Sequence, residues 1–307
     1  MASTRVRETA APAGKVGRAG RARWERAAAL RPWAWALPPL AALALFFGYP
    51  LYLVAKQSFS PDTGGHSLGV YRHLFAQESF RKALWNTVWI ACASTAGCLL
   101  LGFFLALVIA FVPFPGSRAL SRFIDVFLAF PSFLITLALL FVYGTVGMAN
   151  GLWTDVTGAA TGPVDFLRTP WGVLLAEITY FTPFVMRPLL AAFTRLDTAQ
   201  IEAASSLGAR APRIVRRIVL PEAVPALAAG GSLALVLCLN EFGIVLFTGA
   251  KGVTTLPLMV YSKAILDGDY PGACAVAMVC VVLSVTLYAL YRAALARATG
   301  GARRAGA

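Results

Sequence analysis

Five stretches of this chain run for 18 residues or more without a Lys, Arg, Asp or Glu, and that spacing leaves few folds open. They are Pro32 to Ala55, Ala83 to Ser117, Val126 to Thr154, Ala223 to Asn240 and Tyr270 to Tyr291. A sixth, Thr169 to Met186, holds the single charge Glu177. A helix needs about 20 apolar residues to cross a hydrocarbon core of roughly 30 Å, and each interval approaches or exceeds that length. The composition agrees, with 58% apolar and 13% charged residues, outside the usual globular balance. The reading is six membrane spans. No alternating ten-residue strand pattern occurs, so helices are the way for the backbone to satisfy its own hydrogen bonds in lipid. The expected fold class is an all-α membrane protein, a bundle of six transmembrane helices.

The 27 Lys and Arg residues fix an expected orientation, because basic residues stay with cytoplasmic loops. Eight precede the first span; Arg118 and Arg122 follow the second; Arg195, Arg210, Arg213, Arg216 and Arg217 follow the fourth; Arg292, Arg297, Arg303 and Arg304 follow the sixth. Both termini and the even-numbered connections are therefore expected in the cytoplasm. Residues 1–31 form a basic tail rich in Ala, Gly and Arg, with the composition of a disordered extension. Its basic region is too long for a cleavable signal, so the first span is retained. The expected organisation is a tail at 1–31, a transmembrane domain at 32–297 with a cytoplasmic loop at 195–222, and a tail at 298–307.

A net charge of +13 invites a nucleic-acid reading, but the basic residues sit beside spans, where inside-positive bias and anionic lipid explain them. Membrane lipid is the expected partner and nucleic acid is not. Cys92, Cys98, Cys238, Cys274 and Cys280 all fall inside spans and form no C-x-x-C pair, so neither metal nor disulfide is implied. No G-x-x-x-x-G-K-[ST], H-E-x-x-H or G-x-S-x-G motif occurs, and His66 and His73 are the only histidines. No catalytic residue, metal or cofactor is expected in this chain.

Small residues cluster at Ala91, Ala93, Ser94, Ala96 and Gly97, and again at Ala228, Ala229, Gly230, Gly231 and Ser232, where helices can approach closely. Pro131 and Pro183 interrupt the third and fourth spans and predict kinks, either hinges or plain shape.

The loop after the fourth span reads I-E-A-A-S-S-L-G-A-R-A-P-R-I-V-R-R-I-V-L-P from Ile201 to Pro221. Asp197 and Gln200 have capping-box spacing, with Thr198 as an alternative cap; Gly208 suits a left-handed helix end; Pro212 suits the first turn of a second helix ending near Pro221. In that second helix Ile214 and Ile218 share a face and Arg213, Arg216 and Arg217 cover the rest, the pattern of an interfacial helix.

Glu202-Ala203-Ala204, then Gly208, then Ile218-Val219-Leu220-Pro221, resembles the E-A-A…G…I-x-L-P loop of permease subunits in binding-protein-dependent ABC importers. The resemblance covers about residues 35 to 295. It implies that Glu202, Ala203, Ala204, Gly208, Ile218, Leu220 and Pro221 dock this loop into a separate ATP-binding cassette subunit, present as a dimer. It also implies a second permease, identical or not, and a periplasmic or surface solute-binding protein. Glu202 has two readings: a pair with the ATPase, or a local pair with Arg210.

Among charged or amide groups in spans, Glu177, Asn240 and Glu241 are candidates for the translocation path, because such groups face cavities or partners. Asn240-Glu241-Phe242-Gly243 is placed within the fifth span, lining the path or serving helix packing. The E-F-G triplet is similar to that of sulfate, molybdate, ferric iron and polyamine permeases and identifies no solute. The longer run from Phe242 to Pro271 resembles 2-aminoethylphosphonate importer permeases. Lys251 and Lys263, in the segment expected outside, either attract an anionic solute or are solvated loop residues. An ion-coupled secondary transporter is the competing class, but no repeat between the halves is evident and the loop would then have no purpose.

Overall fold

The computed structural model describes residues 36–60 and 68–305; the basic tail 1–31 lies outside them. Among the described residues every regular element is helical, and six helices are long and apolar enough to cross a membrane. They divide into two contact units, one ending at Leu53 and the other starting at Val54. The first unit belongs to α1 (Ala36–Ser58), whose apolar window has no buried residue and which carries a π turn at Ala44–Gly48.

In the second unit the chain runs through α2 (Gly69–Ala76), α3 (Glu78–Phe111), α4 (Ser117–Phe127), α5 (Ser132–Tyr143), α6 (Met148–Thr157) and α7 (Pro170–Phe193). It continues through α8 (Thr198–Ser206), α9 (Ala211–Leu239), α10 (Gly243–Thr248), α11 (Leu256–Leu266) and α12 (Tyr270–Ala305). Helices α3, α7 and α9 form the centre. Ala91, Cys98 and Ala106 of α3 pack with Ala176, Val185 and Leu189 of α7 and with Ala223, Ala234 and Cys238 of α9. Two glycines let these helices close on Val185: a Cβ on Gly230 would lie 2.9 Å from the Val185 Cα, and one on Gly102 would lie 3.1 Å from its side chain. Where lipid offers no hydrophobic drive between helices, such backbone approach supplies the dispersion contact that holds them. A second cluster joins Leu74, Phe80, Leu256, Met259 and Val276 from α2, α3, α11 and α12.

The structure changes several boundaries. The third span starts at Ser132 rather than Val126: Pro131 is extended (φ −59°, ψ 145°), so the preceding helix α4 ends and a new one begins. The fourth runs on to Phe193, through Pro183 and Pro188, and takes in Arg187. Next to Pro183 the hydroxyl of Thr182 donates to the Ile178 carbonyl at 2.6 Å.

The second loop helix does not end near Pro221; it continues into the fifth span as one helix. A π turn at Val215–Val219 makes this possible, its closing bond running from the Leu220 N–H to the Val215 carbonyl. The wider turn relieves the clash that Pro221 would otherwise make with the carbonyl four residues back. The fifth span ends at Leu239, so Asn240 and Glu241 occupy a helix break rather than the span itself. The segment after α10 has Gly249 (φ 57°) and Gly252 (φ 75°) in the left-handed region and then forms α11. Residues 298–305, expected as a tail, continue α12.

Candidate functional site

The loop between the fourth and fifth spans is built by its caps. Asp197, in extended conformation, accepts the Ala199 N–H at 3.0 Å and starts α8. Gly208 ends it with φ 79°, and two bonds close the turn: Gly208 N–H to the Ser205 carbonyl at 2.9 Å and Ala209 N–H to the Ala204 carbonyl at 3.0 Å. This pair is the Schellman arrangement, and it satisfies two otherwise orphaned carbonyls. Pro212 then lies in the first turn of the next helix. Ile214 and Ile218 are half-buried and Val219 is buried, while Arg213, Arg216 and Arg217 are exposed, as the interfacial pattern requires.

Helix α8 has no buried residue. Glu202 and Ala203 are exposed and Ala204 is half-buried. Glu202 forms neither a hydrogen bond nor an ion pair among the described residues, so the local pair with Arg210 is not made. Leu220 is half-buried and Pro221 exposed, both within the continuous helix α9. Sequence reasoning passed over Leu207, a large apolar side chain 89% exposed at the tip of the loop, next to Gly208. Its signal was available: an apolar residue immediately before a helix-ending glycine, on a helix with no apolar face of its own.

Three further polar residues were expected along a path. Glu177, on α7, is 1% exposed in the core of α3, α7 and α9. Its electrostatic neighbours are Ser94, Glu241, Cys98 and Cys238. Asn240 is exposed and donates to the Val236 carbonyl at 2.8 Å, closing the end of α9. Glu241 is half-buried, and its Oε1 atom accepts from the Ser132 hydroxyl at 3.0 Å and from the Ile244 N–H at 2.8 Å. The structure thus places Glu177 and Glu241 within electrostatic reach and keeps the loop residues apart from both.

Of the two lysines singled out, Lys263 is paired: its Nζ lies 2.9 Å from Asp269 Oδ2, with the side chain 16% exposed. Burial alone would raise the Asp269 pKa, but the Lys263 hydrogen bond and charge and the Gly272 N–H hold it below the usual carboxylate value. Lys251 is exposed beside Arg168, whose carbonyl accepts the Lys251 N–H at 2.9 Å, and both line a pocket of about 290 Å3.

With this geometry in hand, similar proteins give the fold a family. Residues 99–300 match the model of the binding-protein-dependent transport system inner membrane component. The chain is 52% identical over 268 residues to a Salmonella typhimurium protein named as the 2-aminoethylphosphonate transport system permease protein PhnU, covering 87% of this chain and 94% of that one. It is 26% identical over 246 residues to the spermidine/putrescine transport system permease protein PotC of Haemophilus influenzae, covering 78% and 88%. Among solved structures, a bacterial ABC transporter that imports the acidic polysaccharide alginate superposes with TM-score 0.77 at 19% identity, over 90% of this chain and 99% of that one. The methionine ABC transporter MetNI, inward-facing, gives 0.51 at 20% identity, over 71% and 94%. The same alginate fold has been solved in complex with a periplasmic protein, at TM-score 0.69 and 19% identity, over 93% and 99%. This chain belongs to the binding-protein-dependent transport system inner membrane components: it is a multi-pass inner-membrane permease subunit of an ABC importer, and not an enzyme.

Proposed function

We propose that the chain carries 2-aminoethylphosphonate across the membrane, as one of two permeases around the path, and is driven by a separate ATP-binding cassette dimer. The observation that carries the solute is the 52% identity over nearly the whole length of PhnU, twice the identity to the polyamine permease PotC. A periplasmic or surface binding protein delivers the solute. The chain itself needs no metal or cofactor.

The loop around α8 is the docking element, with both termini on its side of the membrane. Glu202, exposed and unpaired, meets a basic group of the ATPase, and Ala203 and Ala204 keep the helix slim enough to enter a groove. Gly208 sets the turn, and Ile218, Leu220 and Pro221 join the docked element to the fifth span. Glu177, Asn240 and Glu241 belong to the translocation path.

The test is uptake of labelled 2-aminoethylphosphonate by cells with and without this gene, with a Glu202→Ala, Gly208→Val double variant and a sulfate competitor alongside. Uptake that requires the gene, fails in the double variant and ignores sulfate is the expected result. Uptake that persists without the gene overturns the solute assignment.

A further inference from the structure

Two helix starts meet at one place. The third span begins at Ser132 after the extended Pro131, and α10 begins at Gly243 after the break at Asn240–Phe242 that ends the fifth span. One carboxylate oxygen bridges the two starts, since Glu241 Oε1 accepts both the Ser132 hydroxyl and the Ile244 N–H. The first turns of α5 and α10 are therefore tied to one atom, across 109 positions of sequence. A few residues further on, the rings of Phe133 and Phe247 stack at 5.1 Å and 25°. A Cβ on Gly243 would meet Glu241, Phe133 and Ser132 at 3.4 Å, ordinary van der Waals contact, so these three side chains surround the start of α10. Behind it the Tyr180 hydroxyl donates to the Phe130 carbonyl at 2.9 Å and fixes the break before α5 to the fourth span.

From this geometry we propose that Glu241 is a positioning residue that welds α5 and α10 into one body, which pivots as a unit on the breaks at residues 128–131 and 240–242 when the importer changes state. The weld deepens the importer reading and does not depend on which solute is carried.

The test uses the importer of this permease with its ATP-binding subunits, in vesicles. Cysteines replace Phe133 and Phe247, and the rate of cross-linking by a short bismaleimide is followed through the peptide pair, which separates it from the native cysteines. One body predicts the same rate with and without ATP, and a rate about tenfold slower after Glu241→Ala, the scale of losing a hydrogen bond to a charged group. A rate that changes several-fold with ATP, or that ignores Glu241→Ala, overturns the weld. In the permease without added cysteines, Ser132→Ala and Glu241→Ala are each expected to lower solute moved per ATP hydrolysed, the double variant no further than Glu241→Ala, and Ser132→Thr to restore it. Additive losses, or no rescue by Thr at normal membrane levels, also overturn it. If the unmutated importer moves no 2-aminoethylphosphonate, the solute assignment fails, while the cross-linking rates still decide the weld.

Discussion

Replacing Gly208 by Val isolates the backbone geometry of the proposed docking loop from its contacts. The residue sits at φ 79°, and a Cβ added there meets nothing within 4 Å, so within this chain the substitution has no steric cost. What remains is conformational: a residue with a Cβ in the left-handed region costs about 1–2 kcal/mol, and more when β-branched. The alternative is to open the turn, which loses the Gly208 and Ala209 N–H bonds of 2.9 and 3.0 Å, each worth about 0.5–1.5 kcal/mol net. Either route weakens the docking geometry by about 1–3 kcal/mol, or roughly tenfold or more in its population. The spans are untouched, so the membrane level should equal that of the unmutated chain. Uptake, measured beside ATP hydrolysis, should fall about tenfold for Val, less for Ala, and little for Asn, which tolerates this region. Unchanged uptake with Val refutes the reasoning. Equal damage from Val and Asn refutes it differently, because the partner's close approach, and not φ, would then be what demands glycine.

Leu207→Ser should leave the thermal stability of the permease unchanged, because the side chain is 89% exposed, while weakening ATPase association about tenfold in a pull-down titration, the scale of an apolar anchor lost from an interface. Gly230→Val should lower the unfolding midpoint of the detergent-purified permease by overpacking worth about 1–3 kcal/mol, since the added Cβ lies 2.9 Å from the Val185 Cα, which cannot move aside as a side chain can. The Lys263–Asp269 pair should keep the unmutated chain more stable than Asp269→Asn throughout pH 5 to pH 8, with no loss of that margin as pH falls across this range. Its folded pKa is depressed, so the contribution is present above the ordinary aspartate value of about 3.9 and is lost only as pH falls through the lower folded value. A difference that fades already between pH 7 and pH 5 contradicts that sign.

The helix ends of the loop after the fourth span were legible because their chemistry is local: Asp197, Gly208 and Pro212 each specify a helix end within two or three residues of themselves. The span count was legible because charge is expensive in lipid, and uncharged length alone marks a helix that can cross. Breaks inside apolar runs were not. Nothing in the run from Leu233 to Thr248 but Asn240 and Glu241 interrupts the apolar pattern, and polar residues in a span read equally as path or as break. Helix α11 was hidden because its eleven residues follow two turn-forming glycines and are too short to register as a span. Pro221 was taken as a helix end because a π turn, which accommodates it, leaves no mark in hydrophobic spacing. The Ser132–Glu241 contact joins residues that only the packed bundle brings together.

Those illegible features alter how the motion can travel. Had the loop's second helix ended at Pro221, a flexible joint would separate the docking element from the fifth span. Instead Ala211–Leu239 is one helix of 29 residues, about 43 Å long at the usual rise, running from the docking turn to the break at Asn240. Its far end abuts the carboxylate that joins α5 to α10. On the proposed docking role, a displacement of the loop would reach α5 and α10 through this one helix, whose bending points are the π turn at Val215–Val219, the turn before Pro225 and the break itself. Close approach at Gly230 holds that helix against the fourth span at Val185, part of the way between the loop and the break at Asn240.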